Sequence, residues 1–111
     1  MENTPRHTVL CVDDEQQILS SLKRLLRKEN FDLFTATNGE DGLKIMASRD
    51  IHLVISDHRM PDMSGISFLS KARETYPDAI RILLTGYTEI DSIKASVNEG
   101  HVYKFLLKPW N

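Results

Sequence analysis

The chain has 111 residues, 41% hydrophobic and 27% charged, a composition of one small globular domain rather than of a disordered segment or a coiled coil. Fourteen lysines and arginines against 16 aspartates and glutamates leave a formal net charge of -2, which argues against a dedicated nucleic-acid binder. The single cysteine, Cys11, excludes an internal disulfide and no apolar run approaches membrane-spanning length, so a cytoplasmic domain is expected.

The first seven residues are polar and contain Pro5, unlike a signal peptide or an anchor. Thr8 to Val12 is a short apolar run that stops at Asp13, Asp14 and Glu15. Ile18, Leu19, Leu22, Leu25 and Leu26 then recur at helical spacing, with Lys23, Arg24, Arg27 and Lys28 between them, which predicts an amphipathic helix. Asp32 to Thr37 reads as a second strand, ended by the turn pair Asn38-Gly39. Leu43, Met46 and Ala47 mark a short second helix, and Ile51 to Ser56 a third strand ending in Asp57.

Arg59-Met60-Pro61-Asp62-Met63-Ser64-Gly65 is loop by composition. It leads into a helix carrying Ile66, Leu69, Ala72 and Tyr76, which Pro77-Asp78 stops. Ala79 to Leu84 is a fourth strand ending at Thr85-Gly86. Thr88-Glu89-Ile90-Asp91 resembles a capping box and starts a helix with Ile90, Ile93 and Val97, closed by Gly100. Val102 to Leu107 is a fifth strand, ending at Lys108-Pro109.

Alternating strands and helices, with strands apolar on both faces, imply βαβ units and a parallel sheet covered on both sides. Periodicity leaves the strand order open. In such a sheet the strand ends share one edge, where α/β folds place their sites. Asp13-Asp14, Asp57, Thr85 and Lys108 therefore converge: three acids, a hydroxyl and an ammonium. Any one polar residue at a strand end merely marks where solvent begins; the sorting by chemical type is what points to a site.

Three carboxylates crowded together raise and couple one another's proton affinities unless a cation intervenes. With Lys108 and one divalent ion the crevice is neutral. An all-oxygen donor set suits Mg²⁺, with Mn²⁺ as the substitute, and His7, His52, His58 and His101 share no metal-ligand spacing. Turning one carboxylate into an acyl phosphate takes its charge from −1 to about −2, so metal and lysine are close to obligatory for phosphoryl transfer. Adjacent Asp13 and Asp14 make a natural metal pair, which leaves Asp57 facing the ion as nucleophile.

The segments Val12-Asp13-Asp14-Glu15, Asp57-x-x-Met60-Pro61-x-Met63-x-Gly65, Leu84-Thr85-Gly86 and Lys108-Pro109 resemble the receiver domains of bacterial two-component response regulators, from about Thr8 onward. The resemblance implies an α/β, flavodoxin-like, doubly wound parallel sheet of five strands in the order 2-1-3-4-5. It implies that Asp57 accepts a phosphoryl group, that Asp14 binds Mg²⁺ directly, that Asp13 holds a metal-bound water and that the Arg59 backbone carbonyl completes the ligands. It gives Thr85 and Lys108 the phosphate oxygens, and makes the Lys108–Pro109 bond cis. Arg59 and Tyr87 fall where relatives tune phosphoryl lifetime.

The same resemblance implies a switch. Thr85 moves toward phosphate, and an aromatic on the fifth strand turns inward into the vacated space; that position is Phe105, where many relatives have tyrosine, and Tyr103, on the same sheet side by period two, is the alternative at the output surface. The fourth helix and fifth strand would be the output face. The implied partners are a histidine kinase or phosphotransfer protein and an effector domain beyond residue 111; neither nucleic acid nor membrane is expected to bind this domain. It would be a signalling domain, not an enzyme, although it catalyses its own phosphorylation and slow dephosphorylation. The register also puts the start of an expected fifth helix at Trp110-Asn111, so a single receiver domain over 1–111 with that helix largely absent is expected, its bare sheet face inviting a homodimer.

Two rivals share these residues. A phosphatase resembling dehalogenase-like hydrolases would use a strand-one aspartate, but those need acids two apart. A degenerate receiver would act unphosphorylated, as an interaction module. Receivers heading longer chains, among them HD-GYP phosphodiesterases, look most like the Leu84–Tyr87 and Val102–Trp110 segments.

Overall fold

The computed structural model describes residues 7–27, 31–85 and 104–107. The expectations for Tyr87, the helix after Thr88, Tyr103, the Lys108–Pro109 bond and the fifth helix lie outside these residues. The elements run β1 (His7–Val12), α1 (Gln16–Leu26), β2 (Phe31–Ala36), α2 (Gly39–Ser48), β3 (Leu53–Asp57), α3 (Gly65–Thr75), β4 (Ile80–Thr85) and β5 (Lys104–Leu107). The strands form one sheet in the order β2-β1-β3-β4-β5, with every pair parallel.

Local chemistry sets the helix starts. The Asn38 side chain accepts from the Asp41 backbone N–H at 2.8 Å, while Glu40 and Asp41 place negative charge in the first turn of α2. Ser64 caps α3 in the same way, accepting from the Ser67 N–H at 3.2 Å. α1 starts at Glu15 without a side-chain cap. Its hold on the sheet comes from Leu19 and Leu22, both buried.

Strand alternation sorts the core into two layers. Leu10 and Val12 of β1, Val54 of β3 and Leu83 of β4 join Phe68, Leu69 and Ala72 of α3 and Met46 of α2. Val9 and Cys11 face the other way and join Leu19 and Leu22 of α1. A side chain at Gly42 would meet the Phe68 ring and Val12 at 3.0 Å, so its absence lets α2 approach that ring.

Some side chains depart from the periodic expectation. Leu25 is 54% exposed although it falls on the apolar stripe of α1, whose buried members among the described residues are Leu19 and Leu22. Ala47 is exposed, and α2 buries Gly39, Gly42 and Met46 instead. β2 is an edge strand with β1 as its one neighbour, so it carries the exposed Asp32 rather than apolar residues throughout. Ile51 precedes β3 but is still buried in the α2/α3 layer.

Candidate functional site

Parallel pairing brings the carboxyl ends of the strands to one edge. Asp13 follows β1 directly, and its backbone N–H donates to the Ala36 carbonyl at 3.1 Å, extending the β1–β2 ladder by one residue. Asp57 is the last residue of β3, paired in register with Leu84 of β4. Thr85 ends β4 opposite Leu107, the last residue of β5.

Asp13, Asp14 and Asp57 each offer a carboxylate oxygen, and the three oxygens lie within 4.8 Å of one another. Asp13 and Asp57 are buried, at 2% and 5% exposure, while Asp14 is exposed. One wall of the cluster is thus set in the fold and one opens to solvent. Asp13 Oδ1 accepts the Glu15 N–H at 2.9 Å, a turn within the β1–α1 loop that orients the carboxylate.

The β3–α3 loop fixes Asp57 from behind. His58 donates its N–H to the Leu84 carbonyl at 3.0 Å, and its own carbonyl accepts from Gly65 at 2.8 Å. The Ser56 hydroxyl donates to the Asp57 carbonyl at 3.0 Å. A Cβ on Gly65 would stand 2.1 Å from that carbonyl oxygen, so only glycine admits this approach. The loop then turns sharply: Asp62 has φ 71°, bridged by a Met63 N–H to Pro61 carbonyl hydrogen bond at 2.7 Å.

Of the residues expected at the site, the structure brings together Asp13, Asp14 and Asp57 and sets Thr85 at the same sheet edge. Arg59 is exposed two residues after Asp57, in the β3–α3 loop. Phe105 lies in β5 opposite Leu83. Lys108 and Tyr103 are outside the described residues. The ties made by Glu15, Ser56 and Gly65 went unnoticed in the sequence; Gly65 at the end of the Met60-Pro61-x-Met63 run was their one signal.

Chemically, three carboxylates with two of them buried make a concentrated negative site. The all-oxygen donor set with an open side fits a hard divalent cation of the Mg²⁺ type.

The family model for the response regulator receiver domain matches residues 9–111. The chain belongs to this family. The hydrogenase transcriptional regulatory protein HoxA of Bradyrhizobium diazoefficiens is 40% identical over 103 residues, 93% of this receiver domain and 21% of that protein. The chain spans about a fifth of the length of such curated relatives. The signal receiver domain of an HD domain-containing protein from Pseudomonas fluorescens superposes with a TM-score of 0.90 at 37% identity, covering 100% of this chain and 82% of that one. The response regulator TrrA of Thermotoga maritima, solved in complex with Mg(2+)-BeF, gives 0.82 at 34% identity over 95% of this chain and 89% of its own. The domain is thus a flavodoxin-like α/β signalling domain of two-component systems. No helix among the described residues is long and apolar enough to cross a membrane.

Proposed function

We propose that this receiver domain is a phosphoacceptor, in which Asp57 takes a phosphoryl group from a histidine kinase or phosphotransfer protein with the help of Mg²⁺. The observation that carries this reading is the convergence of the Asp13, Asp14 and Asp57 oxygens within 4.8 Å at the carboxyl edge of the sheet. The similar TrrA, solved with Mg(2+)-BeF, supports the cation and a phosphoryl-like group in such a domain.

In this reading Asp14, Asp57 and the Arg59 backbone carbonyl would hold the cation, and Asp13 would hold one of its waters. When bound, the cation offsets the negative charge of the cluster and of the incoming phosphoryl group. An Asp57 oxygen attacks phosphorus, the bond from phosphorus to the donor nitrogen breaks, and a mixed anhydride forms on Asp57. Thr85 and Lys108 take phosphate oxygens. Thr85 then draws the end of β4 toward the phosphate, Phe105 turns inward, and Tyr103 and the following surface carry the change to an effector domain. The bound phosphate biases one of two arrangements, as a population shift requires. The phosphoryl group is a signal and is lost slowly, so the domain is not an enzyme toward an outside substrate. The effector domain and a homodimer belong to the same proposal.

Incubation with acetyl phosphate and Mg²⁺ tests it. The expected result is one acid-labile and base-labile phosphate, lost in an Asp57→Asn variant and on removal of Mg²⁺ by a chelator. Phosphate on Asp13 instead points to the phosphatase-like chemistry, and no phosphate at all to an unphosphorylated interaction module.

A further inference from the structure

The β3–α3 loop, which follows Asp57, and the start of α2 border an open groove of about 540 Å³, lined in part by Asn38, Gly39, Pro61, Asp62, Met63 and Lys71. Met63 is half-buried and so presents part of its side chain to this groove. Its sulfur lies 2.7 Å from the point a Cβ on Gly39 would occupy, with Phe68 Cβ 3.3 Å from the same point. The thioether therefore fills the space that Gly39 leaves, and fastens the loop to α2 and to the α3 core. The loop has little slack: it is tied at Met63 to Pro61 and at Gly65 to His58, and it turns through the positive φ of Asp62.

We propose that Met63 is a peroxide-sensitive modification site, and that its oxidation to the sulfoxide loosens the β3–α3 loop and weakens the hold of the carboxylate cluster on a divalent cation. The second half rests on the reading of that cluster as a cation site. A sulfur lone pair attacks one oxygen of hydrogen peroxide, the O–O bond breaks and an S–O bond forms. The departing hydroxide takes up the proton from the transferred oxygen and leaves as water. Sulfur is oxidised by two electrons and peroxide reduced by two. The new oxygen is polar and meets the Gly39 backbone and the Phe68 side chain, so it must turn into the groove and take the sulfur out of its seat. Methionine sulfoxide reductases reverse the change, which makes it a reversible input.

Two other sulfur groups among the described residues are less available. Met46 is 3% exposed and Cys11 1% exposed. Burial first, and the charge of Asp13 second, push the Cys11 thiol up to about 12, so it stays protonated and poorly nucleophilic at neutral pH. Met60 is half-buried against the α2/α3 core but is absent from the groove lining.

The test is graded treatment of the protein with hydrogen peroxide, followed by peptide mass mapping and calorimetric titration with Mg²⁺. Met63 should gain one oxygen about tenfold faster than Met46. Mg²⁺ affinity should fall about tenfold as Met63 is converted, the range expected when outer-shell support of a metal site is lost. Met63→Leu should keep its Mg²⁺ affinity through the treatment, Met60→Leu should lose it as the parent does, and Met63→Gln should bind weakly without peroxide. Oxidation of Met63 no faster than Met46, or equal loss of affinity in Met63→Leu, overturns the proposal. So does unchanged affinity after conversion. An untreated protein that fails to bind Mg²⁺ overturns the cation reading as well, which separates the two failures.

Discussion

On the α2/α3 side of the sheet, Leu10, Val54, Phe68, Leu69, Ala72 and Leu83 are all at 0% exposure. On the α1 side β1 still buries Val9 and Cys11, but β3 and β4 present Leu53, Ile55 and Ile82 half-buried and Ile80 at 44% exposure, with Leu25 of α1 at 54%. Register makes the contrast exact in position, since Leu53 pairs with Ile80 and Val54 with Arg81 along the same two strands. The acid cluster belongs to the more open side. Alternation carries the Val9–Cys11 row on to Asp13 and the Leu53–Ile55 row on to Asp57. One face thus concentrates the fully buried packing beneath the strand ends, while the other, from which the acids extend, is less completely covered.

The contrast breaks first, and hardest, at Phe68. Its ring is fully buried against Gly42 and Val12, at the junction of α2, α3 and β1. Phe68→Ala should cost about 3–5 kcal/mol, by lost transfer energy and by the cavity it leaves. Urea unfolding followed by circular dichroism measures it. A loss near 1 kcal/mol would mean that the two helices close over the gap, and that the α2/α3 layer is looser than its burial implies.

Much of this was legible in the sequence because it is local. Among the described residues, strand and helix periods give the right elements in the right order, apart from departures such as Leu25 and Ala47, and the acids at strand ends follow from where each apolar run stops. The order of the strands came only with the family resemblance, because pairing is a long-range property. Phe68 was passed over beside Leu69 for a similar reason, since its depth depends on Gly42, which lies 26 residues upstream and opens the space for its ring. Arg81 is another example, a cation inside an otherwise apolar strand. It is buried, and it donates to the Pro77 and Ala79 carbonyls at 3.2 and 2.9 Å, which ties the turn after α3 to β4. Burial first and Arg73 second lower its proton affinity. At the site the three acids were legible, but the Glu15 amide that orients Asp13 and the fit of Gly65 against Asp57 required the folded loops.

Cys11 offers a gentler probe, on the α1 side but deep within it. Its thiol is raised from an ordinary 9.0 to about 12 by burial and then by Asp13, so the folded state favours the neutral form. The unfolded chain releases this proton above about pH 9 and the folded one does not until about pH 12. Stability from this group is therefore complete below pH 9 and is lost as pH rises toward 12, by about 1.4 kcal/mol per pH unit at most. Wild type should lose stability between pH 9 and about 10.5 more steeply than Cys11→Ala, by chemical denaturation at each pH. Parallel pH profiles would show that water reaches the thiol, and that the α1 layer is open as far down as β1.

The smallest effect should come at the rim of the open face. Ile80 keeps its backbone engaged, its N–H donating to the His52 carbonyl at 2.9 Å, while nearly half of its side chain meets solvent. Truncation to alanine leaves that hydrogen bond in place and removes methyl groups that are only partly dehydrated. Ile80→Ala, and likewise Leu25→Ala, should each cost less than about 1 kcal/mol, as surface substitutions do. Both are read by the same urea unfolding as Phe68→Ala, so the three numbers form one scale. A cost at Ile80 rivalling that at Phe68 would mean that its exposed part is covered in solution, and that the α1 side is closed by a contact between molecules. Costs that rise with protein concentration would identify that contact as self-association, whereas concentration-independent small costs leave the face open to solvent and to whatever approaches the Asp57 edge.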